Sequence, residues 1–235
     1  MCEYYIPKRE RPYSTQFICT STEMVQSLSD DYTDVATHLN SATPGVAKTV
    51  PPVTRNATGI PSPVTVHFGL ALIQIDDFEP NDKAYTDALH LDERLQWDPS
   101  EYNRVVVSRI PSSWIWNPDL VMMYNIEYSK DKQLSLVYNT GDVLNIDPIK
   151  RKTRCFRQND GQYKCKFDVV SWTYDGNVID LQPYEGLNRV DLSDYVELPG
   201  VSVTETTAQR VVKYYPCCPE PYVSLDYTIT LKPGV

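Results

Sequence analysis

From Pro63 to the C-terminus the apolar residues of this chain recur at every second position, and that period constrains the fold more than any other feature. The last run shows it most clearly. Val223, Leu225, Tyr227, Ile229 and Leu231 fall on one face of an extended chain, with Ser224, Asp226, Thr228 and Thr230 on the other. Shorter runs of the same kind cover 64–74, 104–109, 133–138, 143–146, 166–173 and 210–215. Turn signals such as Asn139-Thr140-Gly141-Asp142 and Tyr174-Asp175-Gly176-Asn177 separate them. Ahead of these runs the period is different. Thr20-Ser21-Thr22-Glu23 reads as a capping box, and Met24, Val25, Leu28, Tyr32, Val35 and Leu39 follow at helical spacing. They predict one amphipathic helix of about four or five turns. Between the helix and the strands, residues 40–63 carry five prolines and read as a long loop. Many short strands behind one helix, with no βαβ alternation, predict an all-β fold: an antiparallel β-sandwich with an N-terminal α-helix. We expect a single domain over 20–235, preceded by a polar extension, 1–19.

Composition removes several functions. With 22 basic and 31 acidic residues the chain carries a net charge of −9, without a Lys/Arg block, and is a poor match for nucleic acid or anionic lipid. The longest nearly apolar run, Val64–Ile75, is interrupted by His67 and Gln74, and a membrane-spanning helix needs roughly twenty apolar residues. No membrane span is expected. Gly-x-Ser-x-Gly, phosphate-cradling and His-Glu-x-x-His motifs are missing, and His38, His67 and His90 are scattered. The expectation is therefore a non-enzymatic chain with no cofactor and no metal. Asp76 and Asp77 read as a solvated turn.

The six cysteines, Cys2, Cys19, Cys155, Cys165, Cys217 and Cys218, suit three bridges and a secretory route, although counting does not fix their pairing. A Cys2–Cys19 pairing stays open. Asn56-Ala57-Thr58 would accept a glycan on that route. Asn159-Asp160-Gly161 lets two strands return and bring Cys155 and Cys165 face to face; closing such a loop contributes about 2.5–3 kcal/mol on the chain-entropy model. Cys217 and Cys218 are neighbours. Either each bonds elsewhere, or they close on one another, which strains the intervening peptide and gains almost nothing from loop closure. Such a bridge would serve to stiffen a hairpin tip. The flanking residues, Tyr215-Pro216 and Pro219-Glu220-Pro221-Tyr222, favour an exposed, shaped one.

Aromatic residues gather near the turns. Trp97, Trp114 and Trp116 read as core, whereas Tyr215 and Tyr222 bracket a Pro/Cys-rich tip where a core role is hard to arrange. Aromatic faces turned into one pocket attract an amine cation, each contributing about 0.5–2 kcal/mol when the cation is desolvated.

In that setting Tyr215-x-Cys217-Cys218-Pro219-Glu220-x-Tyr222 resembles loop C of acetylcholine-binding proteins and nicotinic receptor α-subunits. Ser171-Trp172-Thr173-Tyr174-Asp175-Gly176 resembles their loop B, and Trp116-x-Pro118-Asp119-Leu120 the segment leading to loop A. Cys165 lies seven residues before Trp172, as the second cysteine of the Cys-loop does, and the likeness runs from about residue 20 to the C-terminus. The resemblance implies an immunoglobulin-like sandwich, assembled as a homopentamer that binds a small cationic amine between neighbours. It implies a principal face of Tyr124, Trp172, Tyr215 and Tyr222 under a Cys217–Cys218 tip. It implies a complementary face of His90, Leu136, Leu144 and Ile146. The likeness has three departures. His90 stands seven residues before Trp97, where the family usually places a tryptophan; an imidazole facing the cation there would weaken binding on acidification. Tyr124 lies eight residues after Trp116, against a family spacing of seven, so either a bulge returns it to the pocket or Met123 takes its place. The Cys155–Cys165 loop lacks the Phe-Pro-Phe-Asp core with which receptors contact their membrane domain. That last departure favours a soluble, secreted binding protein over the extracellular domain of a channel subunit. A scaffold or adhesion sandwich without a ligand is the third reading.

Overall fold

The computed structural model describes residues 22–55, 59–75, 82–123, 134–151, 153 and 155–234. Cys2, Cys19, Thr20, Ser21, Asn56, Asp76, Asp77 and Tyr124 lie outside them, and with them the open question of a Cys2–Cys19 pairing, half of the capping box and the glycan candidate. The helix α1 spans Thr22–Ala42 and is followed by two-residue strands β1 (Thr54–Arg55) and β2 (Pro61–Ser62). Then come β3 (Val64–Ile75), β4 (Asp82–Leu91), β5 (Val107–Pro111), β6 (Leu120–Met123), β7 (Leu134–Tyr138) and β8 (Asp142–Arg151). The chain ends with β9 (Cys155–Arg157), β10 (Tyr163–Ser171), β11 (Ile179–Pro183), β12 (Val201–Tyr215) and β13 (Cys218–Pro233).

Two sheets face each other. One runs β11-β3-β4-β8-β7-β5; the other runs β12-β13-β10-β6, with β9 also paired to β10. Their pairings are antiparallel except for β11 on β3, where Val64–Phe68 lies parallel to Ile179–Pro183. Alternation makes the core. Val64, Val66, Phe68, Leu70 and Leu72 of β3 face Phe167 and Val169 of β10 and Leu225, Tyr227, Ile229 and Leu231 of β13, all buried. Tyr227 crosses between the sheets, its hydroxyl donating to the Phe68 carbonyl at 2.8 Å. Burial pushes that phenol well above its ordinary pKa. A second cluster lies beneath the helix, where Val35 and Leu39 pack on Leu95, Trp97, Ile110, Ile115, Val137 and Val143. Trp97 and Trp116 are buried and Trp114 half-buried, as their expected core role requires.

The period-two reading passed over β4. Its inward positions include Thr86 and His90, so its sequence shows no apolar alternation although both side chains are buried. Among the described residues no helix is long and apolar enough to cross a membrane.

Candidate functional site

Two faces matter, one on the outer side of each sheet. The first is built from β10, the loop after it, and the β12–β13 hairpin. Asp119, just before β6, organises it. Its carboxylate accepts from the Ser171 hydroxyl at 2.5 Å, from the Thr173 amide at 2.7 Å and from the Thr173 hydroxyl at 2.6 Å. The Asp119 carbonyl also accepts from the Trp172 amide at 3.2 Å. Trp172 is thus gripped on both sides while its indole stays outside the sandwich, 69% exposed.

The hairpin lies next to this loop. The Gly176 amide donates to the Pro221 carbonyl at 2.7 Å. A Cβ on Gly176 would stand 2.8 Å from Val223 Cγ2, so glycine is what allows the approach. At the tip Tyr215 pairs with Cys218, and Cys217 and Cys218 are bonded to each other. Tyr215 and Tyr222 meet edge to face with ring centroids 5.3 Å apart, Tyr215 being half exposed. Beneath the tip, Asp168 is in register with Asp226 on one side and Met123 on the other. Burial and the neighbouring Asp226 raise the Asp168 carboxyl, against the pull of Lys213 and Lys166.

The second face is the outer side of β4, β7 and β8. Leu136 and Leu144 are in register, Leu89 pairs with Leu144 from β4, and Ile146 and Leu134 are exposed at the margin. The turn that joins β7 to β8 is held to the end of β4 through the Asp92 amide and the Gly141 carbonyl, 2.9 Å apart. Gly141 has φ +87°, and a Cβ there would sit 2.6 Å from the Asp92 carbonyl oxygen.

A model of the neurotransmitter-gated ion-channel ligand binding domain matches residues 37–233. The chain belongs to that family. It is 34% identical over 184 residues to acetylcholine receptor subunit alpha-type acr-16 of Caenorhabditis elegans, covering 72% of this chain and 36% of the receptor subunit. Neuronal acetylcholine receptor subunit alpha-2 of Rattus norvegicus is 33% identical over 182 residues, 72% of this chain and 35% of that subunit. The chain therefore spans about a third of the length of these curated relatives. Among solved structures, the Capitella teleta AChBP in complex with lobeline matches with a TM-score of 0.73 at 26% identity, over 86% of this chain and 97% of that one.

Within this ligand-binding domain most of the anticipated positions lie on the two faces. Trp172, Tyr215, Tyr222 and the Cys217–Cys218 bond share the first, and Leu136, Leu144 and Ile146 share the second. The Cys155–Cys165 bridge closes in register between β9 and β10. Met123 ends β6 exposed on the first face, and Tyr124 lies outside the described residues.

His90 is the correction. It is 1% exposed and stacks edge-on against Trp116, with ring centroids 5.1 Å apart. Its strand partners Val66 and Val143 also face the core, and neither ring nitrogen has a hydrogen-bond partner among the described residues. Burial pushes its pKa down to about 4, with Asp92 pulling the other way. A residue inside the sandwich meets no ligand on its outer face, so the anticipated pH-sensitive contact is withdrawn. Counting back from Trp97 gave a position but not the facing of its strand. Asp119, Gly176 and Leu89 were missed as site residues. The alternation of Leu89 with buried His90 is the signal that points outward to the former.

Proposed function

We propose that the chain is a soluble, secreted binding protein that assembles as a ring of five and takes a cationic amine at each seam between subunits. One subunit supplies Trp172, Tyr215 and Tyr222 beneath the Cys217–Cys218 tip, and its neighbour supplies Leu136, Leu144 and Ile146. The observation that carries this reading is the exposure of Trp172 on a loop held by Asp119, while Trp97 and Trp116 are buried. A large indole kept out of the core and fixed in orientation is suited to receive a cation face-on. The apolar outer face of β7 and β8 supports association with a second subunit. The similar protein whose structure is solved with lobeline supports an amine ligand. Light scattering of the purified chain, with tryptophan fluorescence titrated by nicotine, tests both halves. A five-fold mass and saturable quenching that vanishes in Trp172→Ala are expected. A monomer without saturable quenching would leave the scaffold reading.

A second reading, the extracellular domain of a channel subunit, is favoured by the receptor subunits of which the chain spans about a third. The polar turn of the Cys155–Cys165 hairpin, Gln158-Asn159-Asp160-Gly161, supports the soluble form, because a gating contact should present apolar residues at that tip, whereas the exposed Phe156 stands on the strand before it. Sequencing the transcript beyond the Val235 codon separates the two; four apolar segments there would establish the channel.

A further inference from the structure

Between the two faces lies a chain of polar groups that neither face uses for a ligand, with Ser135 and Asn145 buried and Ser112 and Asn117 half-buried. Asn145 sits on β8 between Leu144 and Ile146, and its side chain points the opposite way from theirs, 9% exposed. The Ser135 hydroxyl donates to Asn145 Oδ1 at 2.5 Å and stands 2.9 Å from the Ser112 hydroxyl. Asn145 Nδ2 donates to Asn117 Oδ1 at 2.8 Å. Asn117 Nδ2 in turn donates to the Ser112 carbonyl at 2.7 Å. Two residues on, Asp119 holds Ser171 and Thr173 on either side of Trp172. Pro118 lies between them, its ring fixing φ, and Trp116 is anchored in the core just before.

We infer that Asn117-Pro118-Asp119 is a stiff staple joining the two half-sites of one subunit, and that Asn117 is a positioning residue for Trp172. One end is bonded to the residue that separates Leu144 from Ile146. The other is bonded to the residues that flank Trp172. Asn145 is buried and its amide is costly to leave unpaired, so a shift of Asn145 pulls on the half-buried Asn117 that accepts from it. A displacement of β8 by a ligand on the second face is thereby delivered to the indole on the first. In a ring those two faces serve different ligand sites, and the coupling is reciprocal. The inference rests on the proposed function for the meaning of the faces, but its physical core needs no ligand.

The test is native-state amide hydrogen exchange on the whole chain, comparing wild type with Asn117→Ala and with Asn145→Ala. Ser135→Ala serves if those variants fail to fold, and Asp119→Ala is the positive control. The Trp172 and Thr173 amides are expected to exchange about tenfold faster when the staple is cut at Asn117 or Asn145, the effect of one lost hydrogen bond. The amides of β3 should keep their wild-type rates. Changes confined to 112–117 and 135–145 would overturn the inference, and so would uniform acceleration throughout the chain. Failure of wild type to bind any amine would refute the proposed function and leave the exchange result to judge the staple alone.

Discussion

One carboxylate oxygen of Asp119 holds both the amide and the hydroxyl of Thr173, at 2.7 and 2.6 Å, while the other takes the Ser171 hydroxyl. The loop between these residues carries the exposed indole, so the Asp119 carboxylate bears directly on its orientation. Asp119→Ala removes three bonds to an ionised acceptor and should cost about 1–3 kcal/mol in urea unfolding. Amine affinity should fall with it. Asp119→Asn, which keeps one acceptor oxygen, should lie between.

Trp172→Ala should leave the unfolding midpoint nearly unchanged, because the side chain is outside the core. Its effect should be on binding, with a loss of about 30-fold for a fully desolvated cation, read by calorimetry. Tyr215→Ala should weaken binding at least as much as Met123→Ala.

Acid should destabilise the fold through His90. Its folded pKa of about 4 lies below the ordinary 6.5, so the unfolded chain takes up the proton first. The contribution of neutral His90 is complete above pH 6.5 and is lost as pH falls toward 4, about 3 kcal/mol in all. In His90→Leu that part of the slope should disappear from urea midpoints measured between pH 4 and 7. Amine affinity should not follow His90 over the same range.

The two bridges should separate by function. Replacing Cys155 and Cys165 together by serine should cost about 2.5–3 kcal/mol with little change in amine affinity. The same replacement at Cys217 and Cys218 should barely move the midpoint and should change affinity, because that bond shapes only the hairpin tip.

Gly141→Ala should lower the melting temperature by several degrees. The new methyl would collide with the Asp92 carbonyl at a φ that L-residues rarely adopt.

The parts of the site that can be read from the sequence are those fixed within one short segment. Trp172, Tyr215, Cys217, Cys218 and Tyr222 lie in compact motifs, and the strand Val223–Leu231 shows its facing in its own alternation. His90 failed because β4 hides polar side chains in the core, so spacing from Trp97 could not tell the inner face from the outer. Asp119 and Asn117 act on partners far away in sequence, Thr173 and Asn145, and no local pattern announces such bonds. The parallel strand β11 was passed over for the same reason, since its partner β3 lies in the first half of the chain.

That parallel pairing bears on synthesis. Val64–Ile75 is among the most apolar stretches of the chain, yet the strand that covers its free edge is translated only after β4 to β10 have emerged. Until then the nascent protein displays an uncapped row of amide and carbonyl groups, the kind of template on which chains aggregate. Yield in a heterologous host should therefore respond to translation speed and to holdase chaperones more than to the strength of any contact in the finished molecule.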